Sequence, residues 1–244
     1  MPKKQTRNQS DSIIFNGVDL SKIVFCKVQR PVLAPVEVTS EEICGGNGAV
    51  YKSSRRASYD LPVDIWIRAE DRRAVADLRH KLASVLWTDD PKPLYLPDDP
   101  TRYLLAVVSG STDIDKISDD CPSVTITFKI VDPDYYGRNR RVEFSGDASV
   151  SSGGNVDAHF RATVRGATGD RFRLTNLDTS EFVEVLGALT SDSVIRIDTS
   201  IERATINNQI AQVSIDSDFF KLGKRSRLRA SSGSVLVEWS ERWL

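Results

Sequence analysis

The sequence has few of the residues on which enzymes and metal proteins depend. Its 244 residues include two histidines, three cysteines and one methionine. The histidines, His80 and His159, lie far apart in sequence, whereas nucleophilic catalysis needs a base beside its nucleophile. The cysteines, Cys26, Cys44 and Cys121, form no Cys-x-x-Cys pair and are odd in number. We therefore expect no catalytic triad, no zinc site and three reduced thiols.

Phosphate-binding loops and long apolar runs are also missing. The segment 45–48 (Gly-Gly-Asn-Gly) lacks the Lys-Ser/Thr that a phosphate loop requires. No stretch reaches the length of a membrane span, and no signal-peptide run follows the basic, polar residues 1–11. The formal net charge of −1 provides no bulk attraction for nucleic acid or anionic membrane. We expect no cofactor, no membrane insertion and a flexible arm over residues 1–11.

One stretch of the chain changes its hydrophobic period in the middle. Over residues 59–67 apolar and polar residues alternate, which predicts a strand because successive side chains point to opposite faces. Within residues 70–87 apolar residues recur at three- and four-residue steps, which predicts an amphipathic helix. Asp71 can accept hydrogen bonds from the first turn, and Pro91 prevents the helix from continuing. This is the one helix that the sequence predicts, and it must bury its apolar side against a sheet.

The rest of the first half is predicted to be β structure. Asn16-Gly17 separates two apolar runs and predicts a hairpin, because both residues tolerate positive φ. Residues 124–130 alternate cleanly, and Pro133 is predicted to end that strand. The glycine- and serine-rich segment 146–155 is typical of a connection. The predicted domains are a flexible arm (1–11), a β-sandwich with one helix (12–140), a linker (141–149) and a second β-sandwich (150–244).

The second half contains short apolar runs at regular spacing, separated by turn signals. This rhythm predicts a sandwich or jelly roll in which each sheet has one face toward water. The predicted fold class is therefore mainly β, with one α-helix in the first domain and none in the second. The predicted strands of the second half are 159–164, 171–177, 182–186, 194–198, 205–206, 211–215, 222–230 and 235–239.

Two arginine clusters could bind phosphate. Arg55 and Arg56 precede the strand that begins at residue 59, and Arg138, Arg140 and Arg141 precede the glycine-rich connection. Neither cluster lies within a nucleic-acid-binding motif, so a solvated surface is the favoured interpretation of both. For the first pair, a contact with carboxylates of a neighbouring subunit is the alternative.

Several short motifs follow one another in a particular order. These are an early FNGVDLS, a CGGNG turn, a single helix followed by a Trp and a proline-rich connection, and TFKIVDPDYYG over residues 127–137. The last residues are VEWSERWL. In this order the motifs resemble the distal tail proteins of phages with long, non-contractile tails, also called siphovirus-type tail components. The resemblance covers the whole chain and is stronger before residue 137.

The resemblance implies a structural protein of the phage tail tip that is not an enzyme. The amino-terminal domain would form a homohexameric ring at the distal end of the tail, and a galectin-like carboxy-terminal domain would project from it. The ring would join the tail tube protein to a tail-tip hub protein of the tail-associated lysin type, with receptor-binding proteins as further candidate partners. DNA would pass through its lumen without specific binding. The protein would be made in the host cytoplasm and reside in the virion.

A closed ring requires one face of a subunit to meet a different face of the next. The loop 44–58 is polar, rich in glycine and predicted to extend beyond the sheet, so we expect it and the segments that flank the helix to supply these contacts. The candidate oligomer-contact residues are Asn47, Tyr51, Arg55 and Arg56. No catalytic, cofactor-binding, metal-binding or sugar-contact residue is assigned.

Two other functions stay open at this point. A carbohydrate-binding host-adsorption module would use exposed aromatic residues of the second domain, with Trp239 and Trp243 as candidates. Trp239, however, continues an alternating strand and is predicted to be packed. A wall-degrading glycosidase would need only two carboxylates across a groove, and a chain with 34 acidic residues permits such a pair without indicating one.

Overall fold

The computed structural model describes residues 12–28, 31–67, 71–110, 114–115 and 123–244. These residues fold into two compact units, the first ending at Tyr135 and the second running from Tyr136 to Trp243. Both units consist mainly of antiparallel strands, as the predicted fold class requires. The predicted arm 1–11 and Cys121 lie outside the described residues.

The first unit contains the one α-helix of the described residues. Its elements are β1 (Ile14–Phe15), β2 (Val18–Asp19), a 3-10 helix (Leu20–Lys22), β3 (Phe25–Val28), β4 (Val36–Glu42), β5 (Ala49–Arg56), β6 (Tyr59–Trp66), α1 (Arg72–Leu86), β7 (Lys92–Leu96), β8 (Asp99–Ser109), β9 (Ile114–Asp115) and the first part of β10 (Ser123–Phe144).

The main sheet of this unit is ordered β3-β6-β10-β8-β7-β1-β2, and β9 pairs with the start of β10. Strands β1 and β2 are joined by the predicted Asn16-Gly17 turn, in which φ is +50° and +76°. Strands β4 and β5 stand apart from this sheet and pair with each other. The hairpin predicted from Asn-Gly is therefore confirmed.

The core of the first unit follows the predicted alternation. Leu61, Val63 and Ile65 on β6 are fully buried, and Phe128 on β10 meets Phe15 edge-on at 5.0 Å between ring centroids. Burial of each such side chain contributes roughly 1.5–3 kcal/mol to folding. The alternating face of β6 therefore fixes the interior side of the sheet.

The helix α1 begins and ends where its sequence signals predict. The Asp71 carboxylate accepts a hydrogen bond from the Ala74 amide at 2.7 Å, and Trp87 is already extended. Leu82 and Leu86 are buried in the core of the unit. The prediction of one helix packed against sheet is confirmed.

None of the helices in the described part of the chain has both the length and the apolar character needed to cross a membrane.

The second unit is a sandwich of two sheets. The last part of β10 joins one sheet in the order β17-β16-β15-β12-β20-β10, and the other is ordered β11-β19-β13-β14-β18. The strands are β11 (Asp147–Val150), β12 (Phe160–Arg165), β13 (Gly169–Asn176), β14 (Phe182–Leu189), β15 (Val194–Asp198), β16 (Arg203–Ile206), β17 (Gln209–Ile210), β18 (Gln212–Val213), β19 (Ser226–Ala230) and β20 (Ser234–Trp243).

The interior of the sandwich is formed by side chains from both sheets. Phe160 and Val164 on β12 and Phe172 and Leu174 on β13 are buried in one cluster. The residues between them along each strand point outward, because side chains alternate. The predicted all-β second half is confirmed, and each of its predicted strand regions contains observed strand residues.

The structure differs from the sequence prediction around Pro133. Strand β10 does not end there but continues to Phe144, and Asp147–Val150 is a further strand, so residues 141–149 are largely strand residues and not a linker. The pairing of β10 with β6 stops at Ile130. Pro133 lies beyond that ladder, so its missing N–H costs no bond to β6. The boundary between the compact units falls earlier, between Tyr135 and Tyr136.

Candidate functional site

A hairpin of the first unit, β4 and β5 with their connecting turn, is exposed along almost its whole length. Every residue from 36 to 55 is exposed. These include large apolar side chains, with 60% of Val38 and 62% of Tyr51 accessible. Within the described part of the chain the two strands pair only with each other. We call residues 36–56 the exposed hairpin.

The tip of the exposed hairpin holds the first candidate contact residue. Asn47 lies in an exposed turn that is closed by the Ile43 amide, which donates to the Gly48 carbonyl oxygen at 3.3 Å. Gly48 has a φ of +94°, in the left-handed region that glycine adopts without strain. The glycine-rich sequence of this loop therefore makes a tight turn that presents Asn47 to solvent.

Two more candidate residues lie on β5. The Tyr51 hydroxyl donates to Ser54 Oγ at 2.9 Å, which fixes the ring on the surface of the hairpin. Arg55 faces Glu37 across the ladder, and its Nε donates to Glu37 Oε2 at 2.7 Å. Both side chains remain largely accessible to another molecule.

The fourth candidate, Arg56, has a different environment. Its guanidinium donates to the carboxylate of Asp134, a buried residue of β10 that is 78 positions away in sequence. Beside it, the Ala57 amide donates to the Pro35 carbonyl oxygen at 2.8 Å. Arg56 thus attaches the base of the exposed hairpin to the main sheet. The sequence gives no local signal for this partner, and Asp134 was not among the predicted site residues.

The groups that could carry chemistry are dispersed. His80 is exposed on α1 in the first unit, whereas His159 belongs to the second unit and donates from Nδ1 to the Thr199 carbonyl oxygen at 2.9 Å. Burial, and then the charge of Asp19, raises the pKa of the Cys26 thiol to about 12. Among the described residues there is no group of three or more His, Cys, Asp or Glu side chains that could hold a metal ion.

The two tryptophans considered as sugar contacts lie at the end of the chain. Trp239 is buried, and its Nε1 donates to the Ser152 carbonyl oxygen at 3.0 Å. The prediction that it is packed is confirmed. Trp243 is half-buried, with its indole close to Gly137. The Trp239 ring is therefore not available to a sugar as an open stacking platform, whereas Trp243 lines a pocket with Gly153, Gly154 and Lys224.

The second unit has a polar groove of about 750 Å³ on the outward face of one of its sheets. Its lining residues include Arg141, Arg161, Asp198, Glu238 and Arg242. Burial favours a higher pKa for Asp198, but hydrogen bonds from Ser200 and Arg161 outweigh it and lower that pKa. Sequence reasoning missed this groove because its residues come from four strands. The alternation of charged and apolar residues in those strands was the available signal.

Two family models match the chain. The phage tail protein RIFT-related domain matches residues 18–130, and the carboxy-terminal domain of the siphovirus-type tail component matches residues 153–243. Together these two matches cover most of the 244 residues. The comparison with curated proteins gives no match.

One solved structure shows the same fold over nearly the whole chain. The crystal structure of the SPP1 Dit (gp 19.1) protein, described as a paradigm of the hub adsorption apparatus in phages that infect Gram-positive bacteria, has a TM-score of 0.80 at 19% identity. The alignment covers 96% of this chain and 99% of that one. Two structures of the phage P2 baseplate in its activated conformation, with Ca and with Sr, have a TM-score of 0.44 at 9% identity, over 87% of this chain and 90% of those.

The family assignment rests on both halves of the chain, each matched by a phage tail domain. The two-unit fold described above agrees with it over nearly the full length. The chain therefore belongs to the distal tail proteins of siphovirus-type phages, and it is a structural component of a phage tail.

Proposed function

We propose that this protein forms a homohexameric ring at the distal end of the phage tail, between the tail tube protein and a tail-tip hub protein. The observation that carries this proposal is the exposed hairpin of the first unit. Family membership supports a place in the tail, and the number six rests on the family resemblance. The ring acts by assembly and not by catalysis.

The exposed hairpin has the properties of a segment that another chain covers. A two-stranded hairpin is only marginally stable in water when it stands alone. Each of its strands also has an edge with unpaired backbone groups, which can pair with a further strand. Val36 and Val38, two positions apart, present an apolar stripe on one face, and both are exposed. A neighbouring subunit that packs on this stripe would bury it.

The attachment of the hairpin base to the main sheet fixes the direction in which the hairpin projects. The Arg56–Asp134 ion pair and the backbone bond from Ala57 to Pro35 hold its base. A projecting element of one subunit that packs on a different surface of the next makes a heterologous contact, and such contacts close into a ring when the rotation permits. Asn47, Tyr51 and Arg55 on the accessible hairpin are then the subunit contacts, and Arg56 positions it.

The ring encloses a lumen through which DNA leaves the tail. A strongly basic lining would hold DNA through counterion release. The formal net charge of −1 suits a passage that does not bind DNA specifically. Receptor-binding proteins are a further partner in this proposal, attached at the periphery of the tail tip.

The test is the mass of the purified full chain by native mass spectrometry. We expect a six-subunit species, and we expect Val38→Asp to convert it to monomers because a buried charge without a partner opposes the contact. Ile215→Asp is the matched control: Ile215 is 99% exposed in the second unit, and its substitution should leave the hexamer intact.

If the purified chain is monomeric, the same variants are supplied in trans to a phage that lacks the protein. Val38→Asp should then be absent from the particles, and Ile215→Asp should be incorporated at the end of the tail. A hexamer or a complete particle with Val38→Asp would overturn the role of the hairpin. Particles that carry the wild-type chain somewhere other than the tail end would overturn the proposed location.

A further inference from the structure

The polar groove of the second unit lies on the face of the sheet that points away from the core. On β12, Phe160 and Ala162 are buried and Arg161 between them is exposed. Arg161 is directly opposite Glu238 on β20 and Asp198 on β15. These three side chains therefore form a row across three strands, on one side of the sheet.

Two arginines of the groove are held by specific carboxylate partners. The Arg161 Nε donates to Asp198 Oδ2 at 2.7 Å, and the Arg140 Nε donates to Glu241 Oε1 at 2.5 Å. Such charge-assisted bonds restrict the orientation of a guanidinium group. Arg141, in contrast, is exposed and makes no side-chain hydrogen bond or ion pair with any other residue that the structure describes.

The charge of the lining favours an anion. Four arginines and two carboxylates line the groove. Glu241 behind Arg140 reduces the positive excess without removing it. A concave site lined by an excess of one charge attracts ligands of the opposite charge, and guanidinium groups bind phosphate or carboxylate with two parallel hydrogen bonds.

The groove also contains groups that suit hydroxyls. Ser240 Oγ donates to Asn139 Oδ1 at 2.7 Å, and Ser200 lies beside Asp198. The carboxylates of Asp198 and Glu238 would repel a simple polyanion, but they can accept hydrogen bonds from sugar hydroxyls. A ligand with both hydroxyl donors and anionic groups satisfies both halves of this lining.

The aromatic residues argue against nucleic acid in this groove. Arg242 lies over the Tyr136 ring at 4.6 Å from its centroid, and its Nη1 donates to the Tyr136 hydroxyl at 3.0 Å. Trp239 is buried. Binding of single-stranded nucleic acid relies on open aromatic faces for base stacking, and neither ring supplies one.

We propose that this groove binds an acidic glycan, an oligosaccharide whose sugars carry carboxylate or phosphate groups. Arg141 and Arg161 contact the anionic groups, and Asp198 and Glu238 accept hydrogen bonds from the hydroxyls. The site lies entirely within the second unit, so the proposal does not depend on ring formation and stands or falls separately from it.

The experiment is calorimetric titration of the full chain with three polysaccharide fragments and with duplex DNA. Polygalacturonate oligomers carry carboxylates, phosphomannan oligomers carry phosphates, and neutral mannan oligomers carry neither. We expect saturable binding of one or both acidic oligomers, weakened by added salt, and no measurable binding of neutral mannan or DNA. The acidic oligomer that binds with the higher affinity identifies whether the groove prefers carboxylate or phosphate.

Three variants test the assignment of residues. Arg141→Ala should weaken binding about tenfold or more, since it removes a charge-assisted contact. Glu238→Ala should also weaken binding, because a lost hydrogen bond to a charged group outweighs the relief of an exposed like charge. Arg165→Ala, an equal charge change on β12 outside the groove, should leave the affinity unchanged.

Several results would overturn the proposal. These are the failure of both acidic oligomers to bind, duplex DNA binding as tightly as they do, an Arg165→Ala effect equal to that of Arg141→Ala, or tighter binding by Glu238→Ala. The last two would mean that the oligomers respond only to net charge. Because the exposed Arg141 side chain forms no hydrogen bond or ion pair within the part of the chain that the structure describes, loss of binding in its variant reports on the groove.

Discussion

Arg56, the last residue of the exposed hairpin, forms an ion pair with Asp134, which is buried in β10. The other hairpin ion pairs, Lys52 with Glu41 and Arg55 with Glu37, are exposed on both sides. Exposed pairs contribute little to stability because water and salt screen them. Among the described residues, the Arg56–Asp134 pair is therefore the ion pair that connects the hairpin to the main sheet of the first unit.

We expect Arg56→Ala to lower the free energy of unfolding by about 2 kcal/mol, because it removes a hydrogen-bonded counter-charge from the buried Asp134 carboxylate. Urea unfolding of the full chain measures this. Arg55→Ala is the control and should cost less than about 1 kcal/mol. The double variant Arg56→Ala/Asp134→Ala should be less destabilised than the sum of the single ones. If Arg55→Ala and Arg56→Ala lowered the free energy of unfolding equally, this would contradict the role of the Arg56–Asp134 pair in holding the hairpin.

The described thiols should differ sharply in reactivity. Cys44 is exposed near the tip of the hairpin, whereas burial raises the pKa of Cys26 to about 12. Because the thiolate is the nucleophile, we expect iodoacetamide at about pH 8 to alkylate Cys44 rapidly and Cys26 only after unfolding. Peptide mass mapping over time reports each cysteine separately. Rapid modification of Cys26 in the native protein would show that its thiol is not shielded.

Elements with local signals could be predicted from the sequence. The helix α1 was indicated by its period and by Asp71, whose side chain caps Ala74 as expected. Strand β6 and the Asn16-Gly17 turn were likewise set by neighbouring residues. These signals act over a few positions, so no knowledge of the rest of the fold is needed to recognise them.

Features that depend on distant residues could not be predicted. The continuation of β10 past Pro133 depends on where its ladder with β6 stops, and that position is set by the register of two strands. The partner of Arg56 is 78 residues away. The groove joins side chains of four strands whose order in the sheet is not their order in the chain. Of the candidate site, the glycine-rich turn was predicted. The rest of the predicted loop 44–58 was not, because residues 49–56 form strand β5 in a ladder with β4, and the base that holds this hairpin was not predicted either.

The stability of the second unit should depend on Glu241 at acid pH. Burial favours a higher pKa for this carboxyl, but the hydrogen bond and charge of Arg140 lower it below its ordinary value of 4.5. A group whose pKa is lowered by folding stabilises the native state above its unfolded pKa, and this contribution is lost as the pH falls through the folded pKa. Glu241→Gln removes that dependence.

We therefore expect wild type to lose more unfolding free energy than Glu241→Gln when the pH falls from about 6 to about 3. Chemical denaturation at a series of pH values measures both. Arg140→Gln should likewise reduce the dependence of the unfolding free energy on pH, since it removes the group whose hydrogen bond and charge lower the pKa of Glu241. Other carboxylates, such as Asp198, titrate in all three proteins and cancel in the comparison. If the unfolding free energies of the wild type and both variants fell equally with pH, the Arg140–Glu241 pair would not contribute to the pH dependence of stability.

Gly154 should tolerate no side chain. A Cβ at this position would lie 1.8 Å from the carbonyl oxygen of Arg242, and that oxygen also accepts hydrogen bonds from the amides of Asn155 and Val156 at 3.0 and 3.1 Å. The obstructing atom belongs to the backbone and cannot turn aside as a side chain could. Gly154→Ala must therefore separate the segment from β20 and break both bonds.

We expect Gly154→Ala to cost about 3 kcal/mol of unfolding free energy, which is typical of strongly overpacked positions. Gly223→Ala is the matched control, because the nearest atom to its Cβ is 3.7 Å away, and its cost should be under about 1 kcal/mol. Urea unfolding of the full chain followed by tryptophan fluorescence measures both, since Trp239 donates to the neighbouring Ser152 carbonyl oxygen. Equal stability of the two variants would refute the close approach of this segment to β20.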